Sequence, residues 1–218
     1  MSAASPSRAA RVALVDYGMG NIGSVQGALS RLGASCFVSS KREELARADG
    51  FILPGVGAFG AAMANLQRHD LPAFLREHVV EGGKPFLGIC LGMQLLADDS
   101  TEMGFHRGLG WIPGHVVELP QAGLRVPHVG WSPLRLPRPD RMWDRLDEHA
   151  HFFFDHSFHF VCDASSVAAW CDYGQPVVAA VQRGHIFATQ FHPEKSQRSG
   201  LKLLRNFLRR VEEGCASP

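Results

Sequence analysis

The sequence predicts an α/β fold: a doubly wound, mostly parallel sheet flanked by helices, with an additional short-stranded antiparallel part in its second half. Three observations predict it. Short apolar runs alternate with segments of helical periodicity through the first half of the chain, the pattern of parallel strands joined by crossover helices. Asp16-Tyr17-Gly18, Pro54-Gly55-Val56-Gly57 and the turn at Cys90 each follow a strand directly, so three loops converge on the carboxyl rim where such sheets bind ligands. Beyond Trp111 the texture changes to short strands broken by Gly, Pro and Asp turns.

Taken in order, Val12–Asp16 is a β-branched strand, and Asn21–Leu32 has helical periodicity that stops at Gly33. Cys36–Ser39 and Phe51–Leu53 are short strands, the latter ended by Pro54-Gly55. Ala58–Leu66 and Leu71–Val80 are helices, the second with Pro72 in its first turn. Pro85–Ile89 is a buried strand, and an amphipathic helix starts at Leu91. Strands are expected over Trp111–Leu119, Val126–Trp131, Phe152–Val161, Val167–Asp172, Val177–Arg183 and Ile186–Phe191, as a meander that completes or flanks the sheet. Leu134–Arg145, rich in Pro and Arg, is a loop with one short helix, and Leu201–Val211 is a closing helix with one apolar stripe.

The 218 residues fit one globular domain, placed at 11–212 between a disordered tail, 1–10, and a frayed end, 213–218. A net charge of +1 offers no field for nucleic acid or a charged membrane. No apolar run approaches the roughly 20 residues that span a bilayer, and the start lacks the apolar core of a signal peptide. The five cysteines are odd in number and never spaced Cys-x-x-Cys, which argues against a disulfide framework or zinc site and for a reducing, cytoplasmic setting. His149, His151, His156 and His159 crowd together, but no acidic partner repeats with ligand spacing, so no metal and no cofactor is expected.

Gly88-x-Cys90-x-Gly92 joins the buried strand to its helix and is the cysteine form of the nucleophile elbow. The turn is so tight that its flanks tolerate almost no side chain, which leaves the sulfur exposed at the crest. The first helical N–H groups point at the thiol and favour the reactive thiolate. The N–H of Leu91 is placed to donate to a developing oxyanion. About a hundred residues later, His192-Pro193-Glu194 spaces a histidine and a carboxylate i, i+2, on one face of an extended backbone. Beside Cys90, His192 would act as general base and acid, and Glu194 would hold its tautomer.

Gly-x-Cys-x-Gly-x-Gln with His-Pro-Glu resembles the triad (class I) glutamine amidotransferases. Asp16–Asn21, Leu53–Phe59, Gly88–Leu96, Pro127–Trp131, His156-Ser157-Phe158 and Ala188–Ser196 together look like the glutaminase subunits of imidazole glycerol phosphate synthases, which serve histidine biosynthesis. The likeness runs from about Val12 to Val211.

That resemblance implies the family's α/β fold and a reaction. Cys90 attacks the side-chain amide of glutamine, a glutamyl thioester forms, ammonia leaves, and water releases glutamate. His192 and Glu194 complete the triad. Val56 and Gly57 supply an oxyanion N–H opposite that of Leu91, while Gly55, Gln94, Glu102 and Ser157 contact the substrate. Ammonia passes to a cyclase subunit, a (β/α)8 barrel paired as a heterodimer, with Asn21, Trp131 and Lys195 at the interface around the ammonia entrance. The chain departs from the usual pattern at Asp155, where an apolar residue is more common, and at Phe158, where tyrosine is common. Two other readings remain open at this point: the glutaminase of another triad system (pyridoxal phosphate, guanylate or anthranilate synthesis), or a catalytically idle scaffold for a cyclase. The glycines between Gly55 and Gly60 make a backbone flip of the oxyanion strand cheap, so a resting strand awaiting its partner is expected.

Overall fold

Alternate residues of each early strand enter different cores, and that division sets the layers. The computed structural model describes residues 10–120 and 123–216. In its first half, β1 (Arg11–Val15), α1 (Ile22–Arg31), β2 (Ser35–Ser39), α2 (Arg42–Leu45), β3 (Gly50–Gly55), α3 (Phe59–Arg68), α4 (Leu71–Leu75), β4 (Phe86–Cys90) and α5 (Leu91–Gln94) follow one another. A wide π turn over Arg76–Glu81 extends α4. Ala13, Val15, Phe51, Leu53 and Phe86 face one side and pack with Phe59, Met63 and Leu66 of α3. Their neighbours Val12, Leu14, Ile52, Leu87 and Ile89 face the other side and pack with Val25 and Leu29 of α1. Strands buried on both faces read as continuous apolar runs, as these do.

The second half adds β5 (Asp99–Ser100), β6 (His106–Arg107), β7 (Gly114–Glu118), β8 (His128–Pro133), β9 (His151–His156), β10 (Phe158–Cys162), β11 (Val167–Asp172), β12 (Pro176–Arg183), β13 (Ile186–Thr189) and α6 (Gln197–Ala216). The main sheet has seven strands in the order β11-β12-β13-β4-β3-β1-β2. Pairing is parallel from β2 through β13 and antiparallel at β12 and β11. A four-stranded sheet, β10-β7-β5-β6, and a β8–β9 hairpin stand beside it. The expected meander therefore does both things: β11 to β13 complete the sheet, and the rest flank it.

Four expectations need correction. The helix after Cys90 lasts one turn, because the N–H groups of Leu109 and Trp111 take the carbonyls of Leu95 and Leu96 at 2.8 and 2.9 Å and end the ladder. Phe152–Val161 is two strands, broken at Ser157, since β9 pairs with β8 while β10 pairs with β7. The closing helix is longer at both ends than Leu201–Val211, and residues 213–216 are helical where fraying was expected. An Arg141–Glu213 contact of 2.8 Å ties its last turns to the 3-10 turn at Arg141–Trp143. The two-residue strands β5 and β6, and the one-turn helix α2, were not anticipated, being too short to leave a period. Of the expected tails, 1–9 and 217–218 lie outside the described residues, and Ala10 packs against the core.

Candidate active site

The sharpest backbone feature of the chain is Cys90, which ends β4 and caps α5 at φ 55° and ψ −111°. A non-glycine residue there carries about 1–3 kcal/mol of strain, and the surroundings hold it in place. A Cβ on Gly92 would overlap the carbonyl oxygen of Leu53, and one on Gly88 would lie 2.6 Å from the Gly92 oxygen. Only glycine fits at either flank, so the spacing read in the sequence is a packing requirement. Leu91 is the first residue of its helix, where an N–H has no intrahelical acceptor.

A cavity of about 300 Å³ opens above this turn. Of the residues singled out in the sequence, Val56, Gly57, Cys90, Leu91, Gln94, Glu102, Ser157 and His192 line it. Pro127, Asp155, His156 and Phe158 complete the wall. The break between β9 and β10 is what brings His156, Ser157 and Phe158 to it. Glu102 accepts the Phe59 N–H at 2.6 Å with Oε2, which fixes its carboxylate against the first turn of α3.

His192 reaches the site at the end of an extended stretch, and Pro193–Lys195 then curls into a 3-10 turn. The pair is therefore not on a straight strand: the turn folds the carboxylate back, and His192 Nδ1 lies 2.7 Å from Glu194 Oε1. Both side chains are buried, at 2% and 0% exposure. Burial disfavours charge on His192. Hydrogen bonds to Cys90 and Glu194, and the negative charges of those groups, outweigh it and push the imidazole up to about 10. Cys90, His192 and Glu194 are thus linked in sequence, an arrangement that can support attack on an acyl carbon and proton delivery to its leaving group.

The remaining expected residues fall outside the cavity. Gly55, expected as a substrate contact, is sealed: a Cβ there would lie 2.6 Å from the Tyr17 hydroxyl and 2.8 Å from Leu91 Cβ. Its glycine serves close packing, and Gly60 is likewise covered by His106. Of the oxyanion segment's glycines, only Gly57 has a positive φ, 102°, so backbone freedom is confined to Val56–Gly57. Trp131 is 45% exposed on the hairpin, stacked edge-on to Phe153. Lys195 lies over Phe153 and 4.0 Å from Asp155. Asn21 turns inward and donates to Glu194 Oε1 at 3.4 Å.

Two residues escaped the sequence reading. Gln190 is fully buried, and its Nε2 donates to the Cys90 sulfur at 3.7 Å. It stands two positions before His192, the same spacing that singled out Glu194 after it. Tyr17 is buried with no hydrogen-bond partner for its hydroxyl, and burial, with the charge of Cys90, raises its pKa. Nothing here is arranged as a metal centre: among the described residues, no group of three or more His, Cys, Asp or Glu is placed to hold an ion. His128 and His156 instead bond each other at 3.2 Å.

A sequence profile for glutamine amidotransferase class-I matches residues 13–211. The chain is 49% identical over 197 residues to the imidazole glycerol phosphate synthase subunit HisH of Moorella thermoacetica, covering 90% of this chain and 93% of that one. It is 46% identical to the subunit of the same name from Aquifex aeolicus, covering 93% of this chain and 98% of that one. Among solved structures, it is similar to a chain of PurLQS from Thermotoga maritima, with TM-score 0.74, 20% identity, and coverage of 94% and 100%. A glutamine amidotransferase crystal structure gives TM-score 0.72, 23% identity, and coverage of 92% and 98%. These last two speak to the fold alone.

Proposed function

The chain belongs to the class-I glutamine amidotransferases, and we propose that within them it is the glutaminase subunit of an imidazole glycerol phosphate synthase, acting in histidine biosynthesis. Identities of 45–49% over nine-tenths of the chain to subunits of that name support the assignment. The chain hydrolyses glutamine to glutamate and ammonia. Its partner is a cyclase with a (β/α)8 barrel fold, which takes the ammonia to make imidazole glycerol phosphate and an aminoimidazole carboxamide ribotide. The pair works in the cytoplasm. Cys36, Cys90, Cys162 and Cys171 are free, and no described helix is long and apolar enough to cross a membrane.

The observation that carries the chemistry is the line Cys90–His192–Glu194 beneath one cavity. The Cys90 thiolate attacks the side-chain amide carbon of glutamine, and the carbonyl π electrons move to oxygen. The N–H of Leu91, with one from Val56–Gly57, receives that oxyanion. His192 gives its proton to the amide nitrogen, the C–N bond breaks, and ammonia leaves a thioester on Cys90. His192, now neutral, takes a proton from water, which attacks the thioester and frees glutamate and the thiolate. Glu102 holds the substrate ammonium through its remaining oxygen, and Gln94 and Ser157 position the substrate. Trp131 and Lys195, on the exposed side of the hairpin and the turn, meet the cyclase.

Cys90→Ala in the reconstituted pair tests the reading. Synthesis from glutamine is expected to vanish while synthesis from free ammonia continues. Full glutamine-dependent synthesis by that variant would make the chain an idle scaffold.

A further inference from the structure

Behind the Cys90 sulfur, on the side away from the cavity, lies a polar chain that the mechanism has not used. Gln190 is 0% exposed and is absent from the cavity wall. Its amide orientation is fixed from both ends: Oε1 accepts Gln94 Nε2 at 3.0 Å, which leaves Nε2 to the Cys90 sulfur at 3.7 Å. Gln94 Nε2 is anchored in turn on the Phe158 carbonyl at 2.9 Å. That carbonyl also takes His156 Nδ1 at 2.8 Å, and His156 meets His128, whose Nε2 lies 3.0 Å from Ser132 Oγ. A fully buried amide needs partners for its donors, and an apolar side chain of that size would fill the same space with no desolvation penalty. The amide stands where the sulfur needs a donor.

We propose that Gln190 is a further residue of the reaction, its amide N–H donating to the Cys90 thiolate from the buried side and holding the sulfur aimed into the cavity. This rests on Cys90 being the nucleophile. Gln190 keeps its protons throughout; its hydrogen bond is strongest to the thiolate and weakens as the sulfur becomes a thioester. It therefore stabilises the nucleophile before attack and the leaving thiolate at deacylation. Gln94, which fixes the Gln190 amide, has the Phe158 carbonyl as its other partner, and that carbonyl also meets His156 of the His156–His128–Ser132 chain.

The test uses the purified chain and iodoacetamide, following modification at Cys90 by peptide mass mapping across pH, alongside kcat and KM for glutamine in the complex. The titratable groups that face the sulfur are His192 and Tyr17, with Glu102, Asp155 and His156 sharing the cavity; all remain in the variants. Losing a hydrogen bond to a charged sulfur is expected to slow alkylation at pH 7 about 10- to 100-fold in Gln190→Leu. Rates should converge with the parent at high pH, where any thiol is ionised. kcat should fall by a similar factor, and KM should hold in Gln190→Glu, which keeps the acceptor that anchors the substrate-positioning Gln94. Gln190→Glu, which keeps the acceptor for Gln94 and places a carboxylate at the sulfur, should be slower still, and it decides the matter if Gln190→Leu does not fold. Parental alkylation at every pH in the folded variants would overturn the proposal. A parent Cys90 that alkylates no faster than an ordinary exposed thiol would overturn the nucleophile itself, whatever Gln190 does.

Discussion

Asn21 donates its side-chain amide to Glu194 Oε1, 3.4 Å away, and that is the same oxygen that meets His192 Nδ1 at 2.7 Å. Glu194 Oε2 is buried without a partner. The carboxylate is thus held through one oxygen by two residues from opposite ends of the chain. Asn21, expected at the partner interface, turns inward and supports Glu194 from behind.

Two substitutions separate those contributions. Glu194→Gln removes the charge that sustains the imidazolium, and kcat is expected to fall by about 10²- to 10⁴-fold. Asn21→Ala loses one long hydrogen bond and is expected to lower kcat only about 2- to 5-fold. Steady-state glutaminase kinetics on the complex checks both, and an Asn21 loss as large as that of Glu194 would reverse their ranking.

In the proposed reaction Glu102 binds the substrate ammonium and takes no part in the chemistry. Its Oε2 is committed to the Phe59 N–H, and the residue lines the cavity. Glu102→Gln should therefore raise KM for glutamine roughly 10- to 100-fold with kcat nearly unchanged, the signature of a contact made equally in ground and transition states.

The elbow is also a stability element. Gly92→Ala drives a methyl into the Leu53 carbonyl, where backbone on both sides blocks relief. Urea denaturation is expected to show a loss of about 1–3 kcal/mol or more, with Gly88→Ala in the same direction. Gly27→Ala, where nothing lies within 4 Å of the added carbon, is the control and should be neutral or slightly stabilising.

Acid should weaken the fold through the buried histidine pair. Burial lowers His128 from 6.5 to about 4 and His156 from 6.5 to about 3. In the unfolded chain both bind protons below about 6.5, whereas the folded pair stays neutral. Their contribution is present above that value and is lost as pH falls from about 6.5 towards about 3, at up to ~1.4 kcal/mol per pH unit for each histidine. Denaturant melts between pH 4 and 7 should show a shallower slope in His128→Asn, by about one proton. An unchanged slope would place the proton uptake elsewhere.

The parallel half of the fold was legible because β1, β3 and β4 are buried on both faces and α1 and α3 on one, so period and apolarity coincide. The elbow was legible because glycine spacing there is dictated by contacts within a few residues and one crossing strand. The corner at Ser157 was not. Phe152–Val161 holds no Gly or Pro to mark a turn, and only pairing with two different partners breaks it. The shortness of the helix after Cys90 was hidden for a similar reason, since its carbonyls are claimed by a loop at Gly108–Ile112. Gln190 and the inward turn of Asn21 depend on contacts spanning 100 and 173 positions, which no local pattern records. The motifs singled out Cys90, His192 and Glu194, which the fold brings together, and the supports behind them emerged only from packing.

The most direct measurement is glutamate release from glutamine by the purified chain, alone and then with the barrel cyclase and its ribonucleotide ligand. Strong stimulation by the ligand-loaded cyclase is the predicted result, with the Val56–Gly57 segment as the element that its binding completes. High activity in the free chain, indifferent to the cyclase, would contradict the assignment while leaving the Cys90 chemistry intact.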